Sequence, residues 1–331
     1  MKAIRLHSQG GPEVLQFEDV PLPELKPGEA LVRVNAAGVN FLDVYQRTGL
    51  YKIPLPFTPG MEGAGTIERV SGDSELQPGA RVNWTMQPGA YAEFAAVPAW
   101  KLVQLPDGID FQAAAAAMLQ GMTAQYLCET TYPVKAGDSV LVHAGAGGVG
   151  LLLIQLLRRK GAKVFTTVST DAKAALAKEA GADEAILYTK EDFVAAVKAF
   201  TKGQGVQVVY DSVGASTYEG SLNVLRPLGM LVLFGQSGGR VPPIDPINLT
   251  DKGSLFLARP SLGHHIADRN SLLERASKVL GWVATGALKV RIGKVYPLSG
   301  VPEAHRDLEA RKTTGKLIID VTDDQKETVS A

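Results

Sequence analysis

Residues Ser139–Gly150 read SVLVHAGAGGVG, and LLLIQLL follows directly over 151–157. Val140, Leu141 and Val142 form a short apolar run of the kind that fills a parallel sheet. Gly145, Gly147 and Gly150 then make G-x-G-x-x-G between that strand and a helix. Residues without side chains permit a tight turn and close backbone approach to a pyrophosphate. The helix N-terminus adds free N–H groups and the positive end of a dipole. With a strand before it and a helix after it, the pattern predicts a dinucleotide-binding loop, with Gly145, Gly147, Gly148, Val149 and Gly150 along the phosphates.

Outward from this loop, strands and helices alternate from about 137 to 257. Strands are predicted at 139–143, 163–168, 184–187, 207–210, 230–234 and 254–258, and helices at 150–160, 171–180, 193–201 and 216–225. Gly161 and Gly181 stand where helices stop. Six strands with intervening helices imply an α/β, doubly wound parallel six-stranded sheet whose ligand lies at the carboxyl ends of the strands. The first hundred residues have a different texture. β-Branched and alternating runs at 30–34, 65–70 and 91–97 are separated by the turn signals Lys26-Pro27-Gly28 and Gln77-Pro78-Gly79. Ala113–Ala117 open a helix of small residues suited to a tight interface. The tail carries an amphipathic helix through Leu280 and Trp282, strands at 289–295 and 316–321 and a short helix near 302–311. Its apolar strands must return to the β-rich first segment to be buried, and 323–331 reads as a frayed end.

Composition narrows the function. The 331 residues carry 34 basic and 34 acidic side chains, so the chain lacks the basic excess of a nucleic-acid or acidic-membrane surface. Cys128 is the only cysteine, which excludes an internal disulfide and any multi-cysteine zinc site, and it reads as a small buried helix residue. The N-terminus has no apolar signal core and no apolar run reaches membrane-spanning length, so the default location is cytoplasmic.

The tip of the second predicted strand refines the ligand. A site for NAD usually places an acid there to bind the ribose 2′-hydroxyl. Here Ser169 and Thr170 occupy the tip and Lys173 follows one turn into the helix, a set suited to the 2′-phosphate of NADP(H). Asp171 opens that helix and is read as its cap, with a role as the ribose-binding acid the alternative. Tyr188 follows the third strand, Asp211-Ser212-Val213-Gly214 the fourth, and Phe234-Gly235-Gln236-Ser237 the fifth. For each of these tip residues a turn role and a cofactor contact both stand open.

Taken together, GGPEVL (10–15), AAGVNFLDVYQRTGLY (36–51), PGMEGAGTIERVSG (59–72), HAGAGGVG (143–150), VVYDSVG (208–214), LFGQSGG (233–239), ARPSL (258–262) and GKLII (315–319) cover nearly the whole chain. The chain resembles the zinc-free medium-chain dehydrogenases/reductases, in particular the quinone oxidoreductases related to zeta-crystallin. That resemblance implies a GroES-like catalytic domain over 1–124, an NADPH-binding Rossmann domain over 125–261, and a return to the catalytic domain over 262–331. Zinc-dependent relatives place Cys in the loop matching 38–43 and His in a GHE motif. This chain has Asn40 and Gly60-Met61-Glu62 there, which leaves no zinc site of that kind and makes Glu62 a structural hydrogen-bonding residue. The five histidines show no ligand spacing, and His264 and His265 read as surface loop residues.

By resemblance, Asn40, Tyr45 and Tyr51 lie beside the nicotinamide and the electron acceptor, where amide and phenol groups either hydrogen-bond an acceptor oxygen or pack the pocket wall. The resemblance also places Thr123, Arg259, Arg311 and Lys316 near the cofactor. The implied activity is hydride or electron transfer from NADPH to a quinone in an interdomain cleft, without a Lewis acid. A 2-enoyl thioester or α,β-unsaturated carbonyl reductase is the alternative enzyme, with Tyr51 as proton donor. An NADPH-binding structural or RNA-binding protein is the alternative of another class. The sixth strand would be a sheet edge needing cover, which together with the resemblance predicts a homodimer.

Overall fold

Continuous apolar runs, rather than alternating ones, build one of the two units of this chain, seen here in a computed structural model that describes residues 1–72 and 75–322. The frayed end expected over 323–331 lies outside the described residues. One unit is Thr123–His265, and the other combines Met1–Met122 with the segment from Ile266 onward.

In the first, strands Ser139–Val142, Lys163–Val168, Glu184–Leu187, Val206–Asp211, Leu225–Leu233 and Phe256–Ala258 form one parallel sheet. Numbered along the chain they lie in the order 3-2-1-4-5-6. Val140, Leu141 and Val142 are fully buried, as expected of a strand covered on both faces. The strand order reverses between Ser139–Val142 and Val206–Asp211, so the crevice for a ligand opens at the carboxyl ends of those two strands.

Several elements depart from the predicted bounds, three of them around the fifth and sixth strands. The fifth strand begins at Leu225 rather than 230, because Arg226-Pro227-Leu228-Gly229 bulges out of the ladder: Val206 pairs Leu225 while Val208 pairs Met230. A Pro-Leu-Gly signal that reads as a turn is therefore carried inside a strand, with Leu228 at φ 60°. The helix before it shortens to Tyr218–Asn223. The sixth strand keeps only Phe256–Ala258, since Gly253 and Ser254 both turn the chain with positive φ.

The second unit is β-rich. Its main sheet runs Ile292–Pro297, Lys316–Asp320, Glu29–Val39, Glu62–Val70, Arg81–Thr85 and Val103–Gln104, with Phe94–Pro98 also paired to Glu29–Val39. Lys2–Leu6 and Leu15–Asp19 make a separate hairpin. The last strand does return: Leu317 pairs Val39 and Ile319 pairs Ala37, antiparallel. Val32, Val34, Ile67, Trp84, Leu317 and Ile319 meet in one core. The register of this sheet has a chemical consequence. Ala37 pairs Gly63 and Val39 pairs Leu317, which brings Asn40, Glu62 and Lys316 to the same sheet end.

Candidate active site

The glycine loop divides its work between packing and access. A Cβ on Gly145 would lie 1.9 Å from Thr166 Oγ1, a buried hydroxyl that donates to Val142 O. One on Gly150 would meet Ala144 O at 2.4 Å and the Gly145 Cα at 2.8 Å. These two glycines let helix and second strand close on the loop. Gly147 differs: only Ala144 O, at 3.2 Å, comes within 4 Å of its Cβ position. It is the N-cap of helix Gly148–Arg159, which begins three residues earlier than Leu151 and so brings Gly148, Val149 and Gly150 into its first turn. Their N–H groups have no acceptor within the helix. A backbone bare of side chains, in front of free amides and at the switch point of the sheet, fits a pyrophosphate. Ala144 holds a left-handed φ of 56° to make the turn.

Beneath the loop a polar cluster pins four elements together. His143 Nδ1 pairs with Thr167 Oγ1 at 2.8 Å and Nε2 with Ser221 Oγ at 3.0 Å. Ser221 and Thr217 hydroxyls donate to Asp211 Oδ2, while Val213 and Gly214 N–H donate to Oδ1. Burial pushes the His143 imidazole below its ordinary pKa. Asp211 thus fixes the fourth strand tip. That tip in turn holds the fifth, through Ser237 N on Ser212 O at 3.0 Å and Phe234 N on Asp211 O at 2.9 Å. Arg259 Nη1 donates to Leu233 O at 2.7 Å and braces the same strand end. The roles of His143 and Asp211 were not foreseen, because nothing local in VHAG or YDSV marks a buried network.

The second and third strand tips also meet. Tyr188 N donates to Val168 O at 3.2 Å and Thr189 Oγ1 to Ser169 O at 3.0 Å, so Ser169, Lys173 and Tyr188 belong to one neighbourhood. The cap expected at Asp171 is instead Thr170, whose Oγ1 accepts from Lys173 N at 3.3 Å. A β-conformation cap precedes the first helical residue, and Asp171 is already helical. Its exposed carboxylate pairs with Lys190 at 2.9 Å, which lowers its pKa. Thr123 is buried on the helix Phe111–Tyr126. The predicted surface loop at His264 and His265 is a short helix, Leu262–His265, in which His265 stacks on Tyr126 at 4.1 Å.

In the β-rich unit, Asn40, Glu62 and Lys316 form a closed trio. Lys316 Nζ donates to Asn40 Oδ1 at 2.8 Å and to Glu62 Oε1. Asn40 Nδ2 donates to Glu62 Oε1 at 2.8 Å and to Gly38 O at 3.2 Å, and Leu119 N donates to Glu62 Oε2 at 2.8 Å. Two expectations are redirected by this geometry. Lys316, expected near the cofactor, is 1% exposed and commits its ammonium to Asn40 and Glu62. Asn40 has both amide hydrogens committed inside the protein, which leaves none for an acceptor oxygen. Arg311, by contrast, is exposed just past helix Val301–Glu309.

Asn40 also starts the helix Phe41–Arg47, its N–H donating to Asp43 Oδ2 at 2.8 Å. Asp43 takes Tyr91 OH at 2.9 Å and Met61 N at 3.1 Å, and burial raises its pKa to about 6. Tyr45 lies on this helix. Its carbonyl accepts from Tyr51 N at 2.9 Å, and the two rings meet edge to face at 5.4 Å. Tyr45 is buried and Tyr51 is 39% exposed, so the pair leads from the interior to the surface.

Comparison with known proteins places this architecture. Residues 26–107 match the alcohol dehydrogenase GroES-like domain and 148–275 the zinc-binding dehydrogenase domain. A quinone oxidoreductase of Pseudomonas aeruginosa is 42% identical over 96% of this chain and 99% of its own length. The crystal structure of Escherichia coli quinone oxidoreductase complexed with NADPH superposes with a TM-score of 0.95 at 40% identity, covering 97% of this chain and all of the other. A 2-haloacrylate reductase of a Burkholderia species is 39% identical over 95% of this chain and 97% of its own. The chain belongs to the quinone oxidoreductase family of medium-chain dehydrogenases/reductases.

Family membership raises the question of zinc, which the second domain's name implies. The residues of this quinone oxidoreductase family member do not fit it. Where zinc relatives have thiolate and imidazole, Asn40 spends its amide on Glu62 and Gly38, and Met61 Sδ accepts from Gln46 Nε2 at 3.3 Å. An ammonium, not a ligand, lies against Glu62. Among the described residues no three His, Cys, Asp or Glu side chains converge to hold a metal ion. The described residues also contain no helix long and apolar enough to cross a membrane.

Proposed function

We propose that this protein is an NADPH-dependent quinone reductase. The observation that carries the reading is the loop at Gly145–Gly150: Gly147 is open on its Cβ side before three unpaired helix N–H groups, and the adjacent strand tip offers Ser169 and Lys173 while its one acid is paired to Lys190. The names of the relatives, including the one complexed with NADPH, support it.

NADPH, when bound, supplies the hydride. The amides of Gly148, Val149 and Gly150 hold the pyrophosphate, and Ser169, Lys173 and Tyr188 hold the 2′-phosphate. Ser212, Phe234, Gly235, Gln236 and Ser237 form the joined strand tips that position the nicotinamide half, with Thr123 and Arg311 as further contacts. Tyr45 and Tyr51 face the acceptor. Their phenol hydroxyls donate to a carbonyl oxygen as negative charge develops on it. A quinone takes up hydride and a proton to become hydroquinone, and its electron-poor ring needs no Lewis acid.

A second reading, reduction of an electron-poor alkene, is favoured by the similarity to 2-haloacrylate reductase. NADPH oxidation followed against quinones and against α,β-unsaturated carbonyl compounds separates the two. Quinone-dependent turnover is expected. Turnover confined to alkenes would replace it with the second reading, and tight NADPH binding without turnover of either would remove both. We further infer a cytoplasmic homodimer. The buried, unpaired Cys128 suits a reducing compartment, and the open edge strand Phe256–Ala258 suits pairing with a second copy.

A further inference from the structure

The trio at the sheet end of the β-rich unit is an unusual use of charge. Glu62 is fully buried and Lys316 nearly so, and both charges are satisfied within the protein. The chain makes room for them deliberately. A Cβ on Gly38 would stand 2.3 Å from Glu62 Oε1 and 2.6 Å from Lys316 Cε, so glycine there leaves the pair its present room. Stability alone does not account for this arrangement, since a well-packed apolar set joins strands at least as well as a buried ion pair. What the charges add is orientation. With Lys316 on its oxygen and Glu62 on its nitrogen, the Asn40 carboxamide has one possible direction.

That direction is passed on. Asn40 is the residue from which helix Phe41–Arg47 starts, its N–H held by Asp43 Oδ2. Asp43 also holds Met61 N, the residue before Glu62, which closes a ring of contacts around the helix start. Tyr45 follows on that helix, and Tyr51 is tied to Tyr45 by a backbone hydrogen bond and a ring contact.

We propose that Lys316 is a positioning residue: anchored on Glu62, it locks Asn40 inward and thereby sets the helix that carries the acceptor-facing Tyr45, to which Tyr51 is tied. The inference rests on the assignment of those tyrosines to the acceptor in the reading above. It assigns Lys316 no contact with NADPH.

Lys316→Met alone strands a buried carboxylate and endangers the fold. The informative protein is the double variant E62Q/K316M, which is neutral and can replace the ion pair with an amide–amide contact. It is expected to melt within about 5 °C of the parent and to bind NADPH with unchanged affinity. Its kcat/KM for quinone is expected to fall by about tenfold or more, and amide hydrogen exchange over 41–51 to accelerate by about tenfold. A double variant with parental turnover, or with parental exchange over 41–51, overturns the proposal. If the parent itself reduces neither quinones nor alkenes, the functional reading falls, while the exchange measurement still decides whether Lys316 sets the helix.

Discussion

Gly147 and Gly150 sit three residues apart in one loop, yet a methyl group added to each meets different surroundings. At Gly150 it strikes backbone atoms that cannot move independently, so Gly150→Ala should cost about 1–3 kcal/mol and appear as a lowered melting temperature. At Gly147, where φ is −77° and only one carbonyl oxygen lies nearby, alanine is compatible with the fold. Gly147→Ala should therefore melt near the parent temperature but bind NADPH more weakly. Equal effects on melting would contradict the division of labour between them. Lys173 is open to a sharper comparison. Only NADPH carries the 2′-phosphate, so Lys173→Ala should weaken NADPH by about 10- to 100-fold, as loss of a charge-assisted contact does, with NADH little changed. Parallel losses for both nucleotides, measured by titration, would take Lys173 out of the phosphate site.

Helices Phe41–Arg47 and Val301–Glu309 are joined by an ion pair, and each carries a buried group, Asp43 and His305, that titrates in the opposite sense to the other. Arg47 Nη2 reaches Glu309 at 2.8 Å, and His305, fully buried on the same helix as Glu309, has its ring edge-on to Tyr91. Burial, aided by Arg47, pushes the His305 pKa down to about 3, and burial raises Asp43 to about 6. Between pH 4 and 6 the folded protein holds a proton on Asp43 that the unfolded chain releases, so this group's contribution to stability is lost as pH rises. His305 acts the other way: the unfolded chain takes a proton that the folded one refuses, so stability is lost as pH falls. The two slopes oppose each other in the same window. Asp43→Asn should unmask the histidine and make melting temperature climb more steeply from pH 4 to 6, whereas His305→Phe should flatten or reverse that climb. Melting curves across this range, unchanged in both variants, would show that neither group titrates as placed.

At the scale of the whole chain, strand Phe256–Ala258 leaves one edge of the parallel sheet open, with Phe256 53% exposed. Pairing two such edges would extend the sheet across a two-fold axis. If the protein is the proposed dimer, Phe256→Lys is expected to convert it to monomer in sedimentation, with folding intact; a parent that sediments as a monomer would dispose of the proposal. Much of this molecule was readable residue by residue. Apolar runs, glycine spacing and helix stops are contiguous signals governed by local backbone geometry, and they predicted the doubly wound sheet, its glycine loop and the return of the last strand. Local signals failed where an irregularity looked like a boundary, as at Arg226–Gly229 inside a strand. They failed again at Asp171, where one residue separates a cap from a first helical turn. The trio lies beyond their reach altogether. Lys316 meets Glu62 from 254 residues away and Asn40 from 276, and no spacing along the chain encodes that meeting. The linear order of residues determined the sheet and its glycine loop, because those depend on neighbours in sequence. That Lys316 meets Asn40 and Glu62 was decided only by the antiparallel pairing of Lys316–Asp320 with Glu29–Val39, because register sets which side chains share a sheet end.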